Sequence, residues 1–124
     1  MKALVLGAGG REHALVYALK KSSFVNEVIA APGNGGISRI AEVFPVNPTN
    51  AKEVLDLTLT QKVDIAVIGP EAPLVAGVAD ELRKEGIKVY GPGKTGAMLE
   101  GSKAFAKNFM KDCRIPTAAF DVCN

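Results

Sequence analysis

The sequence predicts an open α/β domain, a mainly parallel five-stranded sheet with helices on both faces. Three features carry that expectation. Ala3-Leu4-Val5-Leu6 is apolar without alternation, as in a strand covered on both sides, and runs through Gly7-Ala8-Gly9-Gly10 into a helical pattern. Further apolar runs alternate with helix-like segments at the spacing of βαβ units with right-handed crossovers. Four of those runs end in segments rich in Gly or Pro, more than turning the chain requires.

Taken in order, the first strand and its glycine turn lead into a helix from Arg11 to about Lys21. Ala14, Leu15, Ala18 and Leu19 recur at helical spacing, and Lys20-Lys21 suits the negative end of the helix dipole. Ser22-Ser23 breaks it. Val25 to Ala31 reads as the second strand, stopped by Pro32-Gly33-Asn34-Gly35-Gly36, and Val43-Phe44-Pro45-Val46 as a short third one. Asn50 is placed to cap a helix from about Ala51 to Gln61, with Val54, Leu55, Leu57 and Leu59 inward or partly so. Val63 to Ile68 is the fourth strand and Gly69-Pro70-Glu71-Ala72-Pro73 the loop after it. One helix is expected from about Leu74 to Glu85, with Val75, Val78, Ala79 and Leu82 on one face and Gly86 just past its end. Lys88-Val89-Tyr90 is the fifth strand, followed by Gly91-Pro92-Gly93. A short helix from Lys94 to Leu99 and a second, capped by Ser102 and running to about Lys111, close the pattern. Ile115 to Phe120 reads as the entry to another strand, so a longer protein is expected beyond Asn124.

The totals narrow the function. The 124 residues make one domain with the start of a second, and 48% hydrophobic with 23% charged residues is a globular composition. A net charge of +2, with no basic run, argues against nucleic acid as a partner. No apolar run is long enough to cross a bilayer and no leader precedes the first strand, so a cytoplasmic protein is expected. Cys113 and Cys123 are too few for a disulfide framework and read as free thiols, and one His makes a zinc cluster a poor fit.

In an open parallel sheet ligands bind beyond the carboxyl ends of the strands. Residues 7–11, 32–36, 69–73 and 91–94 occupy that rim. The first loop carries only part of the dinucleotide fingerprint: its third glycine is missing, and Ala30-Ala31-Pro32 stands where an NAD site needs an acid. A phosphate on the helix N-terminus is the reading preferred, with a merely structural turn as the alternative. Arg11 is either a solvated side chain or a phosphate ligand, and Glu12 an acid favoured at the positive helix end. His13 reads as structural rather than as a catalytic base. Asn34 either adopts a left-handed turn or binds a ligand hydroxyl. Glu71, held between two prolines, is read as a ligand for a sugar hydroxyl or an amine, against a solvated acid. Lys94, Lys103 and Lys107 read as solvent-facing or hinge residues. There is no Walker pattern, no Ser–His–Asp set and no metal-ligand cluster. The residues by themselves define a binding domain for a small phosphorylated ligand.

Four longer motifs go further. Gly7-Ala8-Gly9-Gly10-Arg11-Glu12-His13-Ala14, Ala31-Pro32-Gly33-Asn34, Gly69-Pro70-Glu71-Ala72-Pro73-Leu74, and residues 99–107 (Leu-Glu-Gly-Ser-Lys-Ala-Phe-Ala-Lys) resemble, in order and spacing, the N-terminal part of the phosphoribosylamine–glycine ligases, also called glycinamide ribonucleotide synthetases. These are ATP-grasp enzymes. The resemblance implies a Rossmann-like, substrate-binding pre-ATP-grasp domain over residues 1–101, and a linker helix with the start of a truncated ATP-grasp domain over 102–124. It implies that the whole enzyme joins glycine to 5-phosphoribosylamine in purine biosynthesis, using ATP with Mg²⁺ or Mn²⁺. It places Gly9, Gly10 and Arg11 by the substrate phosphate, and Asn34, Gly69, Pro70 and Glu71 on the ribose and amine side, with Glu12 also among the substrate-binding residues. The ATP site, the metal carboxylates and the catalytic groups are implied beyond Asn124. By itself the chain is then expected to bind phosphoribosylamine at most, and to expose an apolar patch that promotes self-association. The alternative is a stand-alone nucleotide- or sugar-phosphate-binding module without catalysis.

Overall fold

A computed structural model describes residues 1–122; Cys123, read above as a free thiol, lies outside the described residues. The five strands are β1 (Lys2–Gly7), β2 (Glu27–Pro32), β3 (Glu42–Val43), β4 (Ile65–Ile68) and β5 (Lys88–Tyr90). They form one sheet in the order β3-β2-β1-β4-β5, every neighbouring pair parallel. Helices α1 (Gly10–Lys20), α2 (Ala51–Thr60), α3 (Glu71–Val75), α4 (Val78–Lys84), α5 (Lys94–Gly101) and α6 (Lys103–Asp112) complete the expected α/β architecture, with one 3-10 turn at Ile37–Arg39.

The sheet is sandwiched because its strands are apolar on both faces. Leu4, Leu6, Ile29, Ala31, Ala66 and Ile68 pack with Val54 of α2, Leu74 of α3, and Val78, Ala79 and Leu82 of α4. The intervening positions Val5, Val28, Ala30 and Val67 pack on the opposite face with Val16 of α1 and Ile37. Burial of these side chains contributes roughly 25 cal/mol per Å² of apolar surface.

Several elements depart from the sequence reading for local reasons. The single helix expected over 74–85 is two, because Gly77 adopts φ +89° and caps α4; that backbone is strained for any residue with a Cβ. The helix also starts earlier than expected, so Glu71 lies in the first turn of α3 with Pro70 as its cap. β3 is two residues long rather than four. Phe44 N–H still donates to Ala30 at 2.9 Å, but Pro45 has no N–H to continue the ladder. In α1 the fully buried apolar residue is Val16, while Ala14 and Ala18 face outward and Leu15 and Leu19 are half-buried. In α2, Leu59 points out and Thr58 is buried, its hydroxyl donating to the Val54 carbonyl at 2.6 Å. Residues 115–120 form no strand among the described residues.

The predicted caps of α2 and α6 form: Asn50 accepts from Glu53 N–H at 3.3 Å and Ser102 from Phe105 N–H at 3.2 Å. Gly86 follows α4 at φ +78°. Helix α6 has no buried residue among those described. Phe105 and Phe109 stack on its surface with ring centroids 6.5 Å apart, and they are 39% and 41% exposed.

Candidate functional site

The strand order reverses between β1 and β4, since β2 and β3 lie to one side of β1 and β4 and β5 to the other. Such a reversal opens a crevice at the carboxyl ends of the two strands. The first and third predicted rim loops meet there. Gly69 N–H donates to Leu6 at 3.3 Å, continuing the β1–β4 pairing, and the Arg11 guanidinium reaches across to the Gly69 carbonyl at 2.7 Å. The second loop joins them through Gly33 N–H, which donates to Gly7 at 3.2 Å.

Each predicted site residue has a definite place on this rim. Gly9 is the N-cap of α1 and Gly10 its first residue; Gly10 lies open to solvent, and a Cβ added there would meet nothing within 4 Å. Arg11 is exposed, and its guanidinium is tied to Gly69 rather than free. Glu12 lies inside the loop, 4% exposed, its Oε2 accepting from Gly9 N–H at 2.6 Å. Its carboxylate is therefore an internal cap and not the solvated acid that a position in the first turn of α1 suggests.

Asn34 is not left-handed; Gly33 takes that conformation, with φ +69°. The Asn34 amide spans two loops. Its Nδ2 donates to the Ala8 carbonyl at 2.8 Å, and its Oδ1 accepts from Gly36 and Ile37 N–H at 2.8 and 2.9 Å. The oxygen is thus fully engaged within the protein, which leaves one amide proton for a ligand. The ring of His13 packs over Gly36, so closely that a Cβ there would come within 2.8 Å of Cε1. Gly69 and Pro70 are half-buried at the end of β4, and Glu71 is exposed, its carboxylate in no ion pair among the described residues.

The fourth loop is held from α4 by Asp80 and Arg83, two residues that the sequence reading does not single out. Arg83 donates to the carbonyls of Val89 and Gly91, the first at 3.3 Å. Asp80 accepts from Lys94 N–H at 2.8 Å and so caps α5 from outside that helix. An acid and a base three residues apart on an amphipathic helix carry no signal that they face a loop ten residues on; the signal lies in the glycines around them. A Cβ on Gly93 would meet the Asp80 carboxylate at 2.5 Å.

Among the described residues no group of three or more His, Cys, Asp or Glu can hold a metal ion, and no helix is long and apolar enough to cross a membrane. The arrangement offers open amides at the start of α1, one cation and one free carboxylate around a crevice. It offers neither a nucleophile–base pair nor a metal cage.

Strand order and parallel pairing together define an α/β domain of the doubly wound type. Residues 1–100 match the family described as phosphoribosylglycinamide synthetase, N domain, and the chain belongs to that family. It is 46% identical over 120 residues to the phosphoribosylamine–glycine ligase of Caldanaerobacter subterraneus subsp. tengcongensis, covering 97% of this chain and 29% of that protein. It is 50% identical over 122 residues to the ligase of the same name from Mycobacterium bovis, with 98% and 29% covered. The crystal structure of the Thermotoga maritima phosphoribosylamine–glycine ligase superposes with a TM-score of 0.68 at 35% identity, over 98% of this chain and 27% of that one. The biotin carboxylase subunit of pyruvate carboxylase also reaches 0.68, over 95% of this chain and 28% of that one, but at 20% identity it shares the fold alone. The chain spans less than a third of the length of these relatives.

Proposed function

We propose that this chain is the phosphoribosylamine-binding part of an ATP-dependent ligase that joins glycine to 5-phosphoribosylamine, releasing ADP and phosphate, in purine biosynthesis. The observation that carries the proposal is the coincidence of two facts. The residues matched to the family, 1–100, include every loop of the rim, and the first three of those loops meet at the crevice where a doubly wound sheet binds its ligand.

On this reading the substrate phosphate lies at Gly9, Gly10 and Arg11, where the first turn of α1 presents N–H groups without intrahelical partners and a positive dipole end. Glu12 shapes that loop from within. Asn34, Gly69, Pro70 and Glu71 line the ribose and amine side, with Glu71 free to meet a hydroxyl or an ammonium. Residues 1–101 make the substrate domain and 102–124 the linker into the next, and the setting is the cytoplasm.

The described residues hold no group of three or more His, Cys, Asp or Glu for Mg²⁺ or Mn²⁺, and this reading puts ATP with the metal elsewhere in the enzyme. Their sites belong to the part of the relatives that this chain does not span, and no step of the reaction is assigned to the residues here. A stand-alone sugar-phosphate-binding module is the second reading, favoured by the lack of a nucleophile–base pair on the rim.

Backbone amide NMR of the chain titrated with ribose 5-phosphate, a stable stand-in for the amine, tests the proposal. Shifts are expected at 9–12, 34, 69 and 71. No shift at millimolar ligand overturns it.

A further inference from the structure

Three glycines from two loops turn toward one buried carboxylate. A Cβ on Gly7 would lie 2.6 Å from Glu12 Cγ, one on Gly9 would lie 2.8 Å from Oε2, and one on Gly69 would overlap Oε1. Real Cβ atoms do not tolerate such approaches, so the room at these positions is taken by the Glu12 side chain and not by a ligand. With glycine as the N-cap of α1 only half of a capping box can form, and Glu12 supplies it by accepting the Gly9 N–H at 2.6 Å. The neighbouring Arg11 binds Gly69 from the solvent side at 2.7 Å. The β1–α1 and β4–α3 loops are thus joined by Arg11 from without and pack closely around the Glu12 side chain within. Gly10, the one glycine of the run with open space beside it, faces away from Glu12.

We propose that Glu12 is a positioning residue for phosphate on this rim: its carboxylate occupies the Gly9 amide as a built-in anion and directs an incoming phosphate to the amides of Gly10 and Arg11. The inference rests on the rim reading above and sharpens it, because that reading gives the Gly9 amide to the substrate phosphate together with those of Gly10 and Arg11. The physical reason is charge. A phosphate that took the Gly9 N–H would have to displace a buried carboxylate and would face it at close range, whereas the next two amides lie at the same helix end with no such competitor.

The test is the amide response of the wild-type chain and of E12Q to ribose 5-phosphate. In the wild type, Gly10 and Arg11 amides are expected to be the largest responders, and the Gly9 amide, already bonded, to move little. Gln keeps an acceptor for Gly9 N–H but removes the negative charge. E12Q should therefore show the same responders and bind about threefold more tightly, the size of one screened like-charge contact. A residue with only a structural role would leave affinity unchanged or lower it. If Gly9 is the main responder in the wild type, or if E12Q binds no tighter, the inference is overturned while the rim reading stands. If no rim amide responds in the wild type, both fall. The wild-type titration carries the test by itself should E12Q fail to fold.

Discussion

Asn34→Ala removes three hydrogen bonds, one that joins two rim loops, to Ala8, and two that brace its own loop, to Gly36 and Ile37. At about 1 kcal/mol each the loss totals about 3 kcal/mol, and water entering this half-buried site recovers part of it, leaving about 2 kcal/mol. For a domain of this size that lowers Tm by about 8 °C. Asn34→Asp keeps both acceptor bonds and loses the donor to Ala8, whose carbonyl then faces a carboxylate oxygen; about 1 kcal/mol is expected. Urea unfolding followed by far-UV circular dichroism measures both, with an unchanged m-value as the check that only stability moved. A loss of less than about 0.5 kcal/mol for the Ala variant would refute the assignment of this amide to loop-bracing, and would return Asn34 to service as a ligand group alone.

Leu82→Ala, at a fully buried position between α4 and the sheet, should cost about 2–5 kcal/mol by the same unfolding measurement, since the transfer loss and the cavity add. Phe109→Ser, on the half-exposed stacked pair of α6, should leave stability within about 0.5 kcal/mol of wild type but weaken self-association in sedimentation velocity. A wild-type chain that stays monomeric at millimolar concentration would remove the reason for that second effect.

The architecture was legible because its signals are local. An unalternated apolar run, a glycine turn and a helical period lie within fifteen residues at the start, and Asn50, Ser102 and Gly86 mark helix ends by their own chemistry. The break at Gly77 was not legible in this way. Val75, Val78, Ala79 and Leu82 keep their helical spacing across it, so the apolar pattern runs on while the backbone does not. Pro45 could have signalled the short third strand, since proline ends a ladder wherever its missing N–H is needed. At the site, the four loops were readable from Gly and Pro content, and their place on one rim from the parallel sheet. The inward turn of Glu12 was not. The space it fills is created by Gly69, 57 positions away, and only the parallel pairing of β1 with β4 brings the two together. The same holds for Asn34, whose partner Ala8 belongs to another strand's loop.

The central place of β1 also sets a timetable. Its partner on one side, β2, follows at once, but its other neighbour, β4, pairs Ile65 with Ala3 and lies 62 positions later. At synthesis rates of about 5–20 residues per second, β1 keeps one hydrogen-bonding edge unpaired for about 3–12 seconds while the chain to β4 is made. Closing so long a loop is slow even for a free chain. The most buried strand of the mature domain is therefore, in the nascent chain, a sticky ribbon that a chaperone can reach.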